Sequence, residues 1–156
     1  MSFESCPIAI VAAPAERLWT LLTNPSGWDD VFDLREIRAN LPGSAAVGQT
    51  IYAKTGPWLF PLKVELCITD IDATNFRLGL RVKLPLRIHV NEEIKVAMLD
   101  AATCRVSYNC GFHLPSGWRG AVVGLLLRIK GRDAGPLDSL MRLKRAAEQS
   151  RALEVV

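Results

Sequence analysis

One carboxylate in this sequence stands where a carboxylate is costly. After Pro85, Leu86, Ile88, Val90, Ile94, Val96 and Met98 alternate with Arg87, His89, Asn91, Glu93 and Lys95. A period of two is the pattern of a half-buried strand. Glu92 falls in the apolar set. A carboxyl there must be hydrogen-bonded or protonated, so Glu92 is expected to carry a raised pKa and to serve as a polar anchor, or as an acid or base, inside a pocket. The next run, Cys104 to Leu114, alternates in the same way and puts Tyr108 and Cys110 on its apolar side. If a turn near residues 100 and 101 joins the two runs as a hairpin, Glu92 lies roughly opposite Tyr108 or Cys110, and a Glu92–Tyr108 hydrogen bond becomes possible. The competing expectation is a bulge at Glu92–Glu93. It would turn Glu92 outward, because a slip of one residue reverses every side chain.

Other chemistries find little support. His89 and His113 fall on the wet side of their strands, and no His-Glu-x-x-His or cysteine–histidine spacing is present, so no metal site is expected. Gly-x-Ser-x-Gly, Walker and dinucleotide glycine motifs are missing, and no cofactor is expected. Ser44 and Ser116 sit in turn and helix-cap contexts without a base beside them. Catalysis, if any, therefore rests on Glu92 and Tyr108.

The residues around that pair point to an apolar ligand. Leu66, Leu80, Ile88 and Val90 fall on the inward sides of their runs. Trp28, after a helix-breaking Asn-Pro, and Trp58, in the bridge Gly56-Pro57-Trp58-Leu59-Phe60-Pro61, are placed to line a pocket or its mouth. So is Trp118, with Val122 and Leu125 following on the same helical face. Core packing for Trp118 and a surface cap for Trp58 are the plainer alternatives.

These residues need elements to hold them. The chain has 156 residues, 49% hydrophobic and 22% charged, with a net charge of +3. That suits one globular domain over residues 1–156. The basic residues form no run of five, which argues against nucleic acid. No stretch reaches the roughly 18–20 apolar residues of a membrane span. The start has neither a basic n-region nor an apolar h-region, so a cytoplasmic protein is expected, with Cys6, Cys67, Cys104 and Cys110 as reduced, buried or half-buried thiols. A strand from Phe3 to Ala12 leads to a helix opened by Pro14 and stopped at Asn24-Pro25, then to a short helix or turn at 26–30. Strands follow through Leu114. The segment from Ser116 to Leu153 then repeats Trp118, Val122, Leu125, Ile129, Pro136, Leu140, Leu143 and Ala147 on one helical face. Gly117, Gly120, Gly124, Gly131 and Gly135 cluster on the other side, and Pro136 predicts a kink or a break. The order is α+β, with helices on one face of an antiparallel sheet.

Three stretches resemble the START-like superfamily of polyketide cyclase/dehydrase-like and lipid-transport-like proteins. They are Ala-Pro-Ala-Glu-Arg-Leu-Trp-Thr-Leu-Leu-Thr-Asn-Pro (Ala13 to Pro25), Pro-Gly…Val-Gly-Gln-Thr-Ile (Pro42 to Ile51) and Leu-x-x-Leu-Lys-x-x-Ala-Glu (Leu140 to Glu148). The resemblance implies a helix-grip fold: a seven-stranded curved antiparallel sheet wrapped around a long C-terminal helix, with two short helices after the first strand and an apolar pocket between. It does not transfer a function. Three functions follow as expectations. The first is binding of a small apolar molecule, a lipid, aromatic or polyketide-like compound. The second is a cofactor-independent cyclase or dehydratase using Glu92. The third is an interaction module, such as a homodimer, built on Trp58 and the glycine face.

Overall fold

The computed structural model describes residues 2–130 and 134–154. The chain opens with β1 (Ser2–Ser5) and β2 (Ile8–Val11), then α1 (Ala15–Leu22) and, after a turn at Pro25–Gly27, α2 (Trp28–Val31). Six strands follow: β3 (Arg35–Ala39), β4 (Thr50–Thr55), β5 (Leu62–Asp72), β6 (Arg77–Leu84), β7 (Ile88–Met98) and β8 (Cys104–His113). Two helices, α3 (Trp118–Lys130) and α4 (Ala134–Glu154), complete the described chain.

The strands form one curved, unclosed antiparallel sheet in the order β1-β8-β7-β6-β5-β4-β3, with β2 also on β8. β1 and β2 share a single register: Ser5 lies opposite Cys110 and Ile8 opposite Ser107. Between them the Pro7 carbonyl accepts from the Tyr108 amide at 3.0 Å. Pro7 has no N–H to donate, so the ladder lapses there while the strand runs on. The eight segments thus occupy seven positions, the number the resemblance implies. Cys6, at this lapse, is exposed rather than buried.

α4 lies on the inner face of the sheet, with Leu140, Leu143 and Ala147 at most 1% exposed. Its far side is tied to the start of the chain. The Lys144 ammonium donates to the Ile10 carbonyl at 2.6 Å, and the Glu148 carboxylate accepts from the Ala12 amide at 3.0 Å. Lys144 and Glu148 also pair with each other at 2.9 Å. Leu18 and Leu22 of α1 and Trp28 of α2 are fully buried beside this helix. α1 starts where Pro14 predicts, with the Pro14 carbonyl accepting from the Arg17 amide.

The apolar stripe expected along the whole C-terminal stretch divides in two. Its α4 half is core, whereas Trp118, Val122 and Leu125 on α3 are exposed. Helical spacing marks an apolar face without saying what covers it. Gly117, at φ +85°, turns the chain after β8, and α3 begins one residue later than a Ser116 cap requires. Gly120 answers a steric need: a Cβ there would meet the Pro115 carbonyl oxygen. Pro136 is the third residue of α4, in the first turn, where an N–H has no intrahelical acceptor to lose. Whether α3 and α4 form one kinked helix turns on residues 131–133, which lie outside the described residues, as does Gly131 of the expected glycine face.

Candidate functional site

The register of β7 decides which way Glu92 points. β7 pairs with β8 without a shift from His89–His113 to Met98–Cys104, and with β6 without a shift from Lys95–Arg77 to Ile88–Leu84. There is no bulge at Glu92–Glu93. Val90, Ile94 and Val96 are all buried on the inner face, and Glu92 shares their parity. Its direct partners are Leu80 on β6 and Cys110 on β8, while Tyr108 stands opposite Ile94, one diagonal step away. That diagonal is within reach of long side chains.

The Tyr108 hydroxyl donates to Glu92 Oε2 at 2.8 Å. Ser139, from the first turns of α4, lines the same space as Tyr108. Burial pushes the Glu92 carboxyl up to about 7, and the bond from Tyr108 pulls the other way without cancelling it. The Tyr108 phenol is held well above its ordinary value by burial first and by the Glu92 charge second. The Cys110 thiol is pushed up by the same two causes and stays protonated. What little surface Glu92 retains faces an internal space.

That space is a cavity of about 260 Å³ between the sheet and the start of α4. Val64, Leu66, Leu80, Val82 and Val90 supply an aliphatic floor from β5, β6 and β7, and Phe112 extends it on β8. Phe32 and Leu34, beyond α2, and Pro136 of α4 close the other sides. Two further carboxylates reach the lining, and both are engaged. Asp33 accepts from the Gly56 amide at 3.2 Å and from the Thr55 hydroxyl at 3.4 Å, while Asp138 pairs with Arg142 at 2.8 Å. Glu92 and Tyr108 are therefore the polar groups placed to meet a molecule in the middle of the cavity. The pair can donate one proton, accept another, and orient a single carbonyl, hydroxyl or amine.

Of the residues singled out in the sequence, Leu66, Leu80, Val90, Glu92 and Tyr108 come together around this cavity. The others do not line it. Trp28 is core, its indole N–H bonded to the Leu22 carbonyl at 3.2 Å and its ring edge-on to Phe32. Trp58 is 82% exposed, Ile88 is half-buried, and Cys110 is buried beside Glu92 but behind the wall. Trp118, Val122 and Leu125 stand on the exposed face of α3. His89 and His113 face each other across β7 and β8 on the solvent side. Among the described residues no three His, Cys, Asp or Glu side chains gather as a metal site would need. Phe32, Phe112 and Ser139 were not singled out. Ser139 carried a signal, since it lies three residues after Pro136 and four before Leu143, on the buried face of α4.

No protein-family model matches the sequence, and no curated protein does. Solved structures do match. The chain superposes on Zhui aromatase/cyclase from Streptomyces sp. R1128 with a TM-score of 0.79 and 17% identity, over 96% of this chain and 95% of that one. Norcoclaurine synthase from Thalictrum flavum, in complex with dopamine and hydroxybenzaldehyde, gives a TM-score of 0.69 at 15% identity over 94% and 86%. The protein Ara h 8.0201 gives 0.68 at 11% over 94% and 98%. This is the Bet v 1-like helix-grip fold. At these identities the likeness covers architecture alone, and the architecture is one that encloses a pocket between sheet and C-terminal helix. The helix-grip sheet here supplies the aliphatic floor, and its β7–β8 hairpin supplies the one carboxyl–phenol pair.

Proposed function

We propose that this protein binds a compact, largely apolar ring compound in the cavity, with Glu92 and Tyr108 as its polar anchor. The observation that carries the reading is the hydrogen-bonded Glu92–Tyr108 pair above an aliphatic floor, with Asp33 and Asp138, the other carboxylates of the lining, already engaged. Apolar walls with a few placed polar groups are what small-molecule sites need for affinity and orientation. Size narrows the class. A cavity of ~150 Å³ takes benzene, and drug-sized pockets begin near ~300 Å³. The space of about 260 Å³ suits one or two rings better than a long acyl chain or an extended polyketide. The enzymes among the structural neighbours agree with this, since one is named an aromatase/cyclase and the other is seen with dopamine and hydroxybenzaldehyde.

One observation favours a second reading, cofactor-independent acid–base catalysis of the cyclase or dehydratase kind. A carboxyl with a pKa of about 7 is present in both forms near neutrality, and can take a proton from one position and return it to another. The two readings share a site and differ in outcome.

Ligand-observed NMR with one-ring and two-ring phenols and aldehydes separates them. Saturable binding is expected, lost when Leu66→Phe fills the floor and weakened about tenfold when Tyr108→Phe removes the donor. Absence of binding to every probe, or binding indifferent to both substitutions, would sink the proposal. Conversion of a bound probe that stops in Glu92→Gln would promote the enzymatic reading.

A further inference from the structure

Strand direction gathers three connections at one end of the sheet. β1, β3, β5 and β7 start there, and β4, β6 and β8 finish there. The connections are the 56–61 loop, the 85–87 turn and the segment 114–117 that leads into α3. The cavity lies toward the same end, since Asp33, Thr55, Leu84 and Phe112 line it.

Two of these connections, and the start of α3 beyond the third, show apolar side chains to solvent. Trp58, Leu59 and Phe60 are 82%, 81% and 77% exposed, three large apolar residues in a row. Leu86 projects from the 85–87 turn, and Trp118 from the first residue of α3. Single exposed apolar residues need no explanation, whereas a group of this kind marks an interaction surface. The 85–87 turn is also strained to present its side chains. Leu86 and Arg87 both take positive φ, +64° and +61°, where hairpin turns normally use glycine or asparagine.

Several cations stand exposed at this end. Lys63, Arg87 and Arg119 are exposed, and among the described residues no ion pair engages them. Arg35 lies over the Trp58 ring at 5.3 Å. Of the nearby acids, Glu36 is paired with Lys54 and Glu65 with Lys83, each at 2.7 Å; Asp33 accepts from the Gly56 amide and Glu4, opposite Gly111 on β8, is exposed. From Ala101 to Arg132 the sequence contains Arg105, Arg119, Arg128, Lys130 and Arg132 and no Asp or Glu.

We infer that this end of the molecule docks on the surface of an anionic phospholipid bilayer. Apolar tips ringed by unpaired cations match such a surface on both counts. Tryptophan and phenylalanine seat at headgroup level, and lysine and arginine are drawn to anionic lipid. A bilayer also accepts separate loops of any outline, which a rigid protein partner must match one by one. α3 fits the same surface. It has 13 residues, apolar in composition with basic residues near both ends. At about 1.5 Å per residue it is shorter than the ~30 Å hydrocarbon core, so it lies along the interface and does not cross it. The docked orientation sets the cavity against the bilayer, yet the inference does not depend on what the cavity holds.

Flotation with vesicles of phosphatidylcholine, alone or mixed with phosphatidylserine, tests it. The protein should float with the mixed vesicles, not with phosphatidylcholine alone, and should be released by high salt. Lys63→Ala/Arg87→Ala/Arg119→Ala should weaken partitioning by about fivefold for each residue changed. Trp58→Ser/Leu59→Ser/Phe60→Ser should weaken it at least about tenfold, with the vesicle-induced blue shift of tryptophan emission reduced. All six positions are exposed, so circular dichroism should be unchanged. Failure to float with anionic vesicles, or flotation untouched by both triple substitutions, overturns the inference. So does a wild-type dimer in vesicle-free buffer that the apolar substitutions dissolve, because a second copy would then be the occupant.

Discussion

The Glu92→Gln substitution tests the environment of the site through stability alone, before any ligand is known. In the folded chain the Glu92 carboxyl has a pKa of about 7, against an ordinary value of 4.5. The group is an acid with a raised folded pKa, so the folded state holds its proton over a range in which the unfolded chain has lost it. Below pH 4.5 both states are protonated, and the favourable contribution is complete. As pH rises from 4.5 to 7 the unfolded state ionises alone, and stability falls. Above pH 7 the loss is complete. Two and a half pKa units correspond to about 3 kcal/mol. That is an upper figure, because the part of Glu92 facing the cavity can be reached by confined water, which lessens the penalty on the charge. The substituted glutamine cannot ionise, and its amide oxygen still accepts from Tyr108. The variant should therefore match the wild type within about 1 kcal/mol at pH 4.5. By pH 8 it should be the more stable of the two by about 2–3 kcal/mol. Urea unfolding of both proteins at half-unit steps of pH measures the difference directly, and other titrating groups cancel between them. Parallel curves from pH 4.5 to 8 would refute the reasoning. They would mean that Glu92 ionises as it does in water and that the cavity is wet.

Three further outcomes follow from the geometry. Tyr108→Phe removes the bond that restrains the Glu92 pKa, so the pH-dependent loss should still begin near pH 4.5 but continue to higher pH, and stability at pH 5 should fall by about 1 kcal/mol, read by the same urea series. Leu143→Ala empties a fully buried position on α4 and should cost about 2–5 kcal/mol, whereas Leu125→Ala on exposed α3 should stay within about 0.5 kcal/mol, both by chemical denaturation. Arg87→Gly relieves a positive φ that an L-residue adopts at a cost of about 1–2 kcal/mol, so thermal unfolding should rise while partitioning onto anionic vesicles falls.

Alternation carried the sheet into view. Val64, Leu66, Leu80, Val82 and Val90 read correctly because a strand with one wet face obliges its apolar residues to share the other. Glu92 was visible as a violation of that rule, and its direction followed once the register proved continuous. The helices were harder. Leu140, Leu143 and Ala147 share their spacing with Trp118, Val122 and Leu125, yet one set is buried and the other exposed. Periodicity reports that residues share a face, and burial depends on where the helix is carried, which here depends on the turn at Gly117. The tryptophans misled for a related reason. A large ring near a pocket fills core as readily as it lines space. Trp28 does the former because its N–H finds the Leu22 carbonyl, and Phe32, four residues on, meets the cavity in its place. Ser139 was hidden because a serine among leucines reads as a polar interruption, although its spacing puts it on the buried face.

The Glu92–Tyr108 pair also explains how so spare a site can be specified by sequence. The two residues lie on adjacent strands and are joined across a diagonal, Glu92 opposite Cys110 and Tyr108 opposite Ile94. A one-residue slip of β7 against β8 would send Glu92 and its apolar neighbours Val90, Ile94 and Val96 to the solvent side together, so burial of that face and placement of the carboxyl are fixed by the same register. β5 and β6 do shift, between Ile68 and Asp70. That irregularity falls beyond Leu66 and Leu80 on the side away from the 56–61 and 85–87 connections, and leaves the floor intact. Tyr108 is 4% exposed, and its hydroxyl is committed to Glu92 by the 2.8 Å bond. A carboxyl and a phenol, both fixed by strand register and bonded to each other, define a direction between them. The remaining wall is free to be apolar, and its shape selects among ring compounds that offer one polar group at that point.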